Sequence, residues 1–191
     1  MTDFLRKIFS GILNSIAKLL ISKGVRPNMI TFFGLLGIFC ASYLIGTGKL
    51  VFGGLVLLIL GPLDAIDGAV ARLGDNTTNL GAFLDSVSDR YAEVAIFLGI
   101  LIYAINNQTY TISILSYIAA TGSLLVSYTR ARAEALGADS KIGILTRVER
   151  FLIIIPALIF NQLLVGLIII GVLSHLTAIQ RIFYIRKQLE S

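Results

Sequence analysis

Long stretches of apolar side chains constrain this chain more than any other feature. A transmembrane helix needs about 20 residues to cross roughly 30 Å of hydrocarbon, and each stretch approaches that length once its weakly polar flanks are included. Hydrophobic residues make up 56% of the chain, and its mean hydropathy is +0.87. The sequence therefore predicts an all-α polytopic membrane protein with six transmembrane helices, built on residues 29–45, 50–60, 92–105, 112–126, 151–160 and 163–176.

The basic residues indicate how such a bundle is oriented. When the amino terminus is placed in the cytosol, nearly all Lys and Arg side chains fall on or near the cytosolic side, and Lys49 lies in a loop on the far side. The positive-inside rule then predicts that both termini are cytosolic. We expect an integral, multi-pass protein of the cell (plasma) membrane whose active site faces the cytosol. No solvated domain carries these charges, so a nucleic-acid partner is not expected.

The first residues have the pattern of an amphipathic helix. Apolar side chains recur at three- and four-residue spacing up to Leu20, and no small-residue cleavage site follows them. This pattern predicts a helix that lies in the membrane interface, ends at Gly24 and turns into the first span. We expect a single domain over residues 1–191, with the interfacial helix and entry in 1–26 and the membrane bundle in 27–191.

Four aspartates lie close to these apolar stretches. Asp64 and Asp67 are three residues apart and Asp85 and Asp89 are four apart, so each pair projects from one face of its helix. A short polar turn between the two helices is expected to bring both pairs together, with Gly81 leaving open space above the carboxylates. The alternative is a scatter of polar residues at helix ends.

A cluster of this kind is costly in a membrane. Each buried Asp costs about 2.5 to 3.5 kcal/mol at the centre of a spanning helix, and mutual repulsion adds to that cost. Divalent cations remove both problems, because carboxylate oxygens are hard ligands that suit Mg²⁺ or Mn²⁺. We therefore predict a site for two divalent cations at the cytosolic ends of the second and third spans.

A longer pattern joins the aspartates to their neighbours: Asp64-x-x-Asp67-Gly68-x-x-Ala71-Arg72, then eight residues, then Gly81-x-x-x-Asp85-x-x-x-Asp89. It resembles the signature of the CDP-alcohol phosphotransferase (class I CDP-alcohol phosphatidyltransferase) family. The resemblance implies six transmembrane helices, an interfacial amino-terminal helix, two divalent cations and a homodimer. It also implies a transferase that moves a phosphate-linked alcohol from a CDP-alcohol to an acceptor hydroxyl and releases CMP.

The resemblance also assigns roles to individual residues. Asp64, Asp67 and Asp85 would bind one metal ion, and Asp64, Asp85 and Asp89 the other. Asp89 would in addition be the catalytic residue that takes the proton from the acceptor hydroxyl. A Pro-Asn-x-x-Thr-like element and the polar residues around the aspartates resemble the family's surface for the CDP-lipid, which implies contacts from Asn28, Met29, Ile30, Thr31, Gly68, Arg72 and Thr78. Thr78 also has the position of a cap for the third helix.

The segment SYTRARAEALGADSKIGILTRVERF, residues 127–151, is similar to the corresponding part of phosphatidylinositol phosphate synthases. This implies transfer of a phosphatidyl-type group from CDP-diacylglycerol or its archaeal equivalent to inositol 1-phosphate, with membrane lipids around the site. The acceptor phosphate would be bound by Arg130, Arg132, Arg150 and Arg181. Because Arg130 and Arg132 are two residues apart, they diverge by about 160° on an unbroken helix.

Two other functions remain open at this point. The same chemistry with glycerol 3-phosphate as acceptor would make the protein a phosphatidylglycerophosphate synthase. A divalent-cation channel or carrier would use the aspartates as a filter, but such a protein should carry polar residues through the depth of the membrane, and beyond Glu93 the predicted spans offer almost none.

Overall fold

The computed structural model of the chain describes residues 2–25, 27–61, 63–74, 78–138 and 142–190, and for residues 2–10, 12, 64 and 65 it describes the backbone alone. All regular secondary structure in these residues is helical, as the sequence predicted. The helices are α1 (Thr2–Ser22), α2 (Pro27–Gly46), α3 (Leu50–Leu60), α4 (Leu63–Leu73), α5 (Asn79–Asn106), α6 (Tyr110–Ala135), α7 (Arg147–Ile159) and α8 (Leu163–Leu189).

Three of the described helices, α2, α6 and α8, are long and apolar enough to cross a membrane. Helix α3 has 11 residues and α7 has 13, which correspond to about 16 and 20 Å at 1.5 Å per residue. Helix α5 has 28 residues, but charged side chains interrupt its first half. The chain is therefore an all-helical membrane-type protein, and the predicted count of six spans is not established by helix length alone.

Small residues let the long helices approach closely. A Cβ atom added to Gly99 of α5 would come within 2.5 Å of the backbone oxygen of Ser42 in α2. The Ser42 hydroxyl also donates a hydrogen bond to the Ala95 carbonyl across this contact. Helices surrounded by lipid gain little hydrophobic force from packing together, so close backbone approach and interhelical hydrogen bonds hold them.

Helix α1 packs against α4, the helix that begins the acidic segment. Ala17 is fully buried in a small apolar cluster with Ile66, Ala69 and Val70 of α4. Leu20 packs against this cluster, whereas Leu19 is exposed. The cluster fixes the orientation of α4, and with it the direction in which the helix presents Asp67.

The predicted end of α1 at Gly24 is confirmed. Gly24 has a φ of +72°, and its N–H donates to Ile21 O while Val25 N–H donates to Leu20 O. These two bonds form the αL-type termination in which a glycine follows the last turn of a helix. Val25 then packs on the α1–α4 cluster and directs the chain towards α2.

Candidate functional site

Asp67 is the most deeply buried aspartate among those with a described side chain. It lies in α4, is 6% exposed, and accepts a hydrogen bond of 2.7 Å from the Thr31 hydroxyl of α2. Asp64 lies one turn earlier on the same helix, but its side chain is outside the described residues. The Thr31 contact fixes one carboxylate oxygen of Asp67, Oδ2, at the junction of α2 and α4.

Asp89 lies in α5 and makes a close ion pair with the first residue of α7. Arg147 Nη1 is 2.5 Å from Asp89 Oδ1, and Arg90 Nη1 is 3.7 Å from Asp89 Oδ2. The guanidinium of Arg147 also lies over the ring of Phe151, 5.3 Å from its centroid. Asp89 is thus a partly buried carboxylate whose strongest described contact is a cation from another helix.

The donor chemistry of the acidic segment fits a divalent cation. Asp67 and Asp89 border the same cavity, and Asp85 lies half-buried one turn before Asp89. Carboxylate oxygens are the ligands that Mg²⁺ and Mn²⁺ prefer. Among the side chains that the structure describes, no three His, Cys, Asp or Glu form a group that could hold a metal. Asp64 completes the predicted set of metal ligands, but its side chain lies outside the described residues.

The space predicted above Gly81 is not open. A Cβ atom at Gly81 would lie 3.0 Å from the Thr78 hydroxyl and 3.5 Å from Asn28 Oδ1. The Thr78 hydroxyl accepts a 3.0 Å hydrogen bond from Gly81 N–H and caps α5, as the sequence indicated. The expectation of open space was therefore wrong, because the glycine allows the polar side chains of Asn28 and Thr78 to close over the helix start.

Gly68 has a similar effect on Arg72. A Cβ atom at Gly68 would lie 3.1 Å from Arg72 Nη1, so the exposed guanidinium folds back over the glycine. Asn28, Thr31, Gly68, Arg72 and Thr78 therefore lie on the helices and helix starts that surround Asp67 and Gly81.

The remaining two residues of the predicted nucleotide element lie differently. Ile30 is buried in the α1–α4 cluster and borders the cavity beside Asp67. Met29 is 47% exposed and does not border that cavity. Side chains of neighbouring helical residues point in different directions, so the contiguous element divides into a packing residue, an exposed residue and polar residues.

A largely apolar cavity of about 260 Å³ lies beside Asp67 and Asp89. Side chains of α2, α3, α4, α5 and α7 line it, with Leu35, Leu58 and Phe151 among the apolar ones. The polar atoms at its edge belong mainly to the two aspartates and to Thr31, Ser88 and Arg147. This cavity, called the apolar cavity below, offers a hydrocarbon-lined space next to two carboxylates.

A second and larger cavity, of about 1000 Å³, lies between α5, α6, α7 and α8. Asp89 and Arg147 border this cleft as well as the apolar cavity. We call it the basic cleft because five arginines line it: Arg90, Arg130, Arg147, Arg150 and Arg181. Three of the four predicted acceptor arginines thus meet in one cleft, whereas Arg132 is exposed and does not border it.

Arg150 makes a buried, two-pronged ion pair with Glu93 of α5. Its Nε and Nη2 atoms lie 2.7 and 2.9 Å from the two carboxylate oxygens, and its Nη1 donates to Leu145 O at 3.3 Å. Arg150 is 2% exposed and Glu93 is 3% exposed. Three of the five N–H donors of a guanidinium are used in these contacts, which orient the group towards the cleft.

Arg181 of α8 is held by main-chain oxygens instead of by an acid. Its Nε donates to Ile142 O at 2.8 Å and its Nη1 donates to Val126 O of α6. The loop residue Gly143, at a φ of +143°, lies so close to α8 that a Cβ atom there would be 2.7 Å from Thr177 Cγ2. Arg181 therefore joins α6, α8 and the loop before α7, and its side chain is 3% exposed.

Arg130 differs from the two buried arginines in its surroundings. It is exposed on α6 and forms a 2.8 Å ion pair with Glu134, one turn later. An exposed pair of this kind contributes about 0.3–0.5 kcal/mol and exchanges readily with other partners. Arg130 is thus the most accessible of the three predicted acceptor arginines that border the cleft.

Sequence reasoning did not assign a role to Glu93 or pair Arg147 with Asp89. Glu93 was noted only as the last acidic residue before the apolar part of its span, although an acid at that depth needs a partner. Arg147 precedes Arg150 by three residues, so the two share a helix face. Helical spacing predicts which side chains share a face, but it does not predict which neighbouring helix that face meets.

Comparison with known proteins gives a consistent family assignment. Residues 25–180 match the CDP-alcohol phosphatidyltransferase family. An archaetidylinositol phosphate synthase of Pyrococcus horikoshii is 37% identical over 179 residues, which cover 93% of this chain and 93% of the relative. A phosphatidylinositol phosphate synthase of Mycobacteroides abscessus is 32% identical over 190 residues, covering 95% of this chain and 86% of that protein.

Solved structures give the same result for the fold. The crystal structure of Mycobacterium tuberculosis phosphatidylinositol phosphate synthase with CDP-DAG bound superposes with a TM-score of 0.85 at 30% identity, covering 91% of this chain and 93% of that one. A crystal structure of the same enzyme in complex with manganese and citrate gives a TM-score of 0.81 at 30% identity, covering 91% of this chain and 88% of that one.

Proposed function

The chain belongs to the CDP-alcohol phosphatidyltransferase family, and from this premise we propose that it transfers a phosphatidyl-type group from a CDP-linked lipid to inositol 1-phosphate, releasing CMP. The family resemblance drawn from the sequence is thereby confirmed, and the protein is a transferase. One observation carries the proposal: Asp89 borders both the apolar cavity and the basic cleft. A lipid donor in the apolar cavity and a phosphorylated acceptor in the basic cleft would meet at this carboxylate.

The donor is proposed to bind on the apolar side of the site. Apolar side chains of α2, α3 and α7 would accept hydrocarbon from the lipid, next to Asp67 and Asp89. The CDP group would lie over the starts of α2 and α5 and the end of α4. There Asn28, Thr31 and Thr78 offer polar groups, Gly68 allows close approach, and Arg72 offers a cation for a phosphate. Met29 and Ile30 belong to this segment and would contribute through the backbone.

Two divalent cations, Mg²⁺ or Mn²⁺, are proposed at the aspartates. Asp64, Asp67 and Asp85 would hold one, and Asp64, Asp85 and Asp89 the other. When bound, the metals would supply positive charge for the diphosphate oxygens and for the leaving CMP. The carboxylates themselves would hold these ions between the apolar cavity and the basic cleft. A manganese complex of a structural relative supports a divalent cation here.

Asp89 is proposed to accept the proton of the attacking hydroxyl. Its position at the edge of both cavities would place one carboxylate oxygen towards the acceptor, which must approach from the basic cleft. The hydroxyl oxygen forms the new bond to the lipid-linked phosphorus, the bond from that phosphorus to CMP breaks, and the proton goes to Asp89. Before any ligand is bound, Arg147 and Arg90 lie next to this carboxylate.

The acceptor phosphate is proposed to bind in the basic cleft. Arg150 and Arg181 are buried and held by contacts to other helices, so their remaining N–H donors would be oriented before the ligand arrives. Arg130, which is exposed, would exchange Glu134 for the phosphate. Charge-assisted bonds from guanidinium groups to phosphate are short and strong. Arg132 was predicted with them, but its exposed position outside the cleft favours a role in attracting the anion over direct contact.

We further propose the topology that the charge pattern predicted. Six spans would be formed by α2, α3, α5, α6, α7 and α8, with α1 in the cytosolic interface of the plasma membrane and α4 extending the second span to the site. The short turns after α2, α5 and α7 would lie on the far side, where Lys49 is the single basic residue. The single domain over residues 1–191 and its assembly as a homodimer are part of the same proposal.

Release of CMP by the purified protein tests the proposal. With Mg²⁺ and CDP-diacylglycerol or its diether counterpart, CMP should form when inositol 1-phosphate is supplied and should stay near background with free inositol. Glycerol 3-phosphate is the matched control, because it is also a phosphorylated polyol. Faster release with glycerol 3-phosphate would favour phosphatidylglycerophosphate synthesis instead. No release with any acceptor would contradict the transferase mechanism proposed for this site.

A further inference from the structure

The ion pair between Asp89 and Arg147 lies where a metal ion is proposed to bind, and it therefore affects the order in which the metal and the acceptor bind. We propose that Arg147 neutralises Asp89 until a divalent cation takes over that carboxylate, and that the released guanidinium then binds the acceptor phosphate in the basic cleft. This inference rests on the proposed function, because it uses the proposed metal and acceptor sites.

The geometry of the pair carries the first step. Arg147 Nη1 lies 2.5 Å from Asp89 Oδ1, and the two side chains are only 23% and 18% exposed. A charge-assisted bond of this length occupies one of the two carboxylate oxygens. A divalent cation at the same carboxylate would stand a few ångström from the guanidinium, and like charges at that distance repel strongly when partly shielded from water. Metal and Arg147 therefore compete for Asp89.

The position of Arg147 on α7 carries the second step. It is the first residue of that helix and borders both the apolar cavity and the basic cleft. Its guanidinium is supported on one side by the ring of Phe151, at 5.3 Å. A long side chain on this support reaches either cavity by rotating about its own bonds, without movement of the helix. The released cation would then lie one turn from Arg150, on the same helix face.

The other arginines of the cleft have partners that metal binding would not take away. Arg150 is paired with Glu93, Arg181 with carbonyl oxygens, and Arg130 with Glu134. Arg90 is 3.7 Å from Asp89, but its Nη1 also donates to Ser86 O at 2.6 Å. Of the arginines that line the basic cleft, Arg147 therefore makes the shortest described contact with a proposed metal ligand, namely Asp89.

The competition makes metal and acceptor binding cooperative. Metal binding would free a cation for the phosphate, and phosphate binding would in turn keep that cation away from Asp89. Thermodynamic linkage requires the two effects to be equal. An acceptor would thus bind weakly before the metals are in place, which would keep inositol 1-phosphate out of a site that is not ready to react.

Binding of Mn²⁺ to the purified protein without donor or acceptor tests the first step. Free Mn²⁺ is measured by electron paramagnetic resonance for the wild type, Arg147→Gln, Arg147→Lys and Arg90→Gln. Arg147→Gln should bind Mn²⁺ about 5- to 50-fold more tightly, within the range of typical coupled sites. Arg147→Lys keeps the charge and should stay near the wild type. Arg147→Met removes the charge but keeps an apolar stem against Phe151, so it should bind Mn²⁺ more tightly as well and covers the case that the glutamine variant fails to fold. Arg90→Gln should change the affinity much less.

A change of one charge far from the site provides the control. Arg186 is exposed near the end of α8 and pairs with Glu190. Arg186→Gln therefore reports the general electrostatic effect of losing one positive charge. Mn²⁺ affinity that is unchanged or weaker in Arg147→Gln, or that rises equally in Arg186→Gln, would overturn the competition. A purely structural role of Arg147 predicts weaker binding, not tighter binding.

Calorimetric titration with inositol 1-phosphate tests the second step. Saturating Mn²⁺ should tighten acceptor binding to the wild type, and Arg147→Gln should lose most of this gain. Equal gains in both proteins would overturn the transfer of Arg147 to the phosphate. The Mn²⁺ experiment contains no substrate, so tighter metal binding by Arg147→Gln together with no CMP release by the wild type would support the competition and refute the proposed reaction.

Discussion

The buried pair of Glu93 and Arg150 allows a prediction whose size follows from the structure. Replacing Arg150 with Met keeps an apolar side chain of similar length but removes the cation. Glu93, only 3% exposed, would then lose two hydrogen bonds of 2.7 and 2.9 Å. Breaking a buried ion pair from one side costs about 3–5 kcal/mol. We expect the free energy of unfolding of Arg150→Met to fall by about that amount.

Removing both members of the pair should be far less damaging. In Glu93→Leu with Arg150→Met no carboxylate is left without its partner at this position, and buried pairs are often replaced by apolar residues at little cost. Leu145 O still loses the donor at 3.3 Å, so the double variant should lie within about 1–2 kcal/mol of the wild type. The double variant therefore separates the structural role of Arg150 from its role in binding.

Unfolding and steady-state kinetics of the same proteins give the two readouts. Unfolding is followed by circular dichroism in mixed micelles with increasing SDS, and Arg186→Gln serves as the control for loss of an exposed ion pair. The folded double variant should show a KM for inositol 1-phosphate raised by about 10- to 150-fold, the value of one charge-assisted contact. The KM for the CDP-lipid should scarcely change, because neither Glu93 nor Arg150 borders the apolar cavity proposed for the donor.

Two results would refute this reasoning. If Arg150→Met is as stable as the wild type, leaving Glu93 buried without its cation does not cost the expected free energy of about 3–5 kcal/mol. If the stable double variant keeps the wild-type KM for inositol 1-phosphate, Arg150 holds the fold together and does not bind the acceptor phosphate.

Three further predictions concern the acidic segment and the loop before α7. Asp67→Asn and Asp85→Asn should each abolish CMP release while leaving a folded protein by circular dichroism, because an amide is a poor replacement for an anionic metal ligand; near-normal activity in both would contradict the two-metal site. Asp89→Asn should lower kcat far more than it raises the donor KM, as expected for a group needed at proton transfer, and a change in donor KM alone would leave it only a metal-binding role. Gly143→Ala should lower the thermal midpoint by several degrees, because a Cβ atom there meets Thr177 at 2.7 Å in a backbone conformation that favours glycine, and an unchanged midpoint would show that the loop relaxes.

Much of the local structure was predictable because it depends on neighbouring residues in the chain. The end of α1 at Gly24 and the cap of α5 by Thr78 follow from backbone chemistry within a few residues. The family signature likewise depends on spacing along two helices, and the comparisons confirm it. These features need no knowledge of how one helix is rotated against another.

The contacts between helices were not predictable in the same way. Glu93 and Arg150 are 57 residues apart, and nothing in either helix specifies that their faces meet. The same is true of Asp89 and Arg147. Conversely, helical geometry did indicate that Arg130 and Arg132 diverge, and in the structure only Arg130 borders the basic cleft. Spacing thus predicted the face of each residue, and packing determined what each face contacts.

The open space expected above the aspartates illustrates a third limit. Glycine spacing predicted room near the carboxylates, but polar side chains occupy it, namely Asn28 of α2 and the cap residue Thr78 at Gly81, and Arg72 of the same helix at Gly68. A glycine in a sequence indicates a close approach without telling which group approaches. In this protein the approaching groups are those proposed to bind the nucleotide, which the sequence had assigned from the family resemblance alone.

Mass spectrometry of the lipid product identifies which acceptor the protein uses. The purified protein is incubated with Mg²⁺, a CDP-linked lipid and an equimolar mixture of inositol 1-phosphate, glycerol 3-phosphate and free inositol. We expect the main new lipid to have the mass of the lipid-linked phosphate joined to inositol phosphate, and to form in equal amount with CMP. A main product that carries glycerol phosphate, or inositol without its own phosphate, would contradict the assignment of the basic cleft to inositol 1-phosphate.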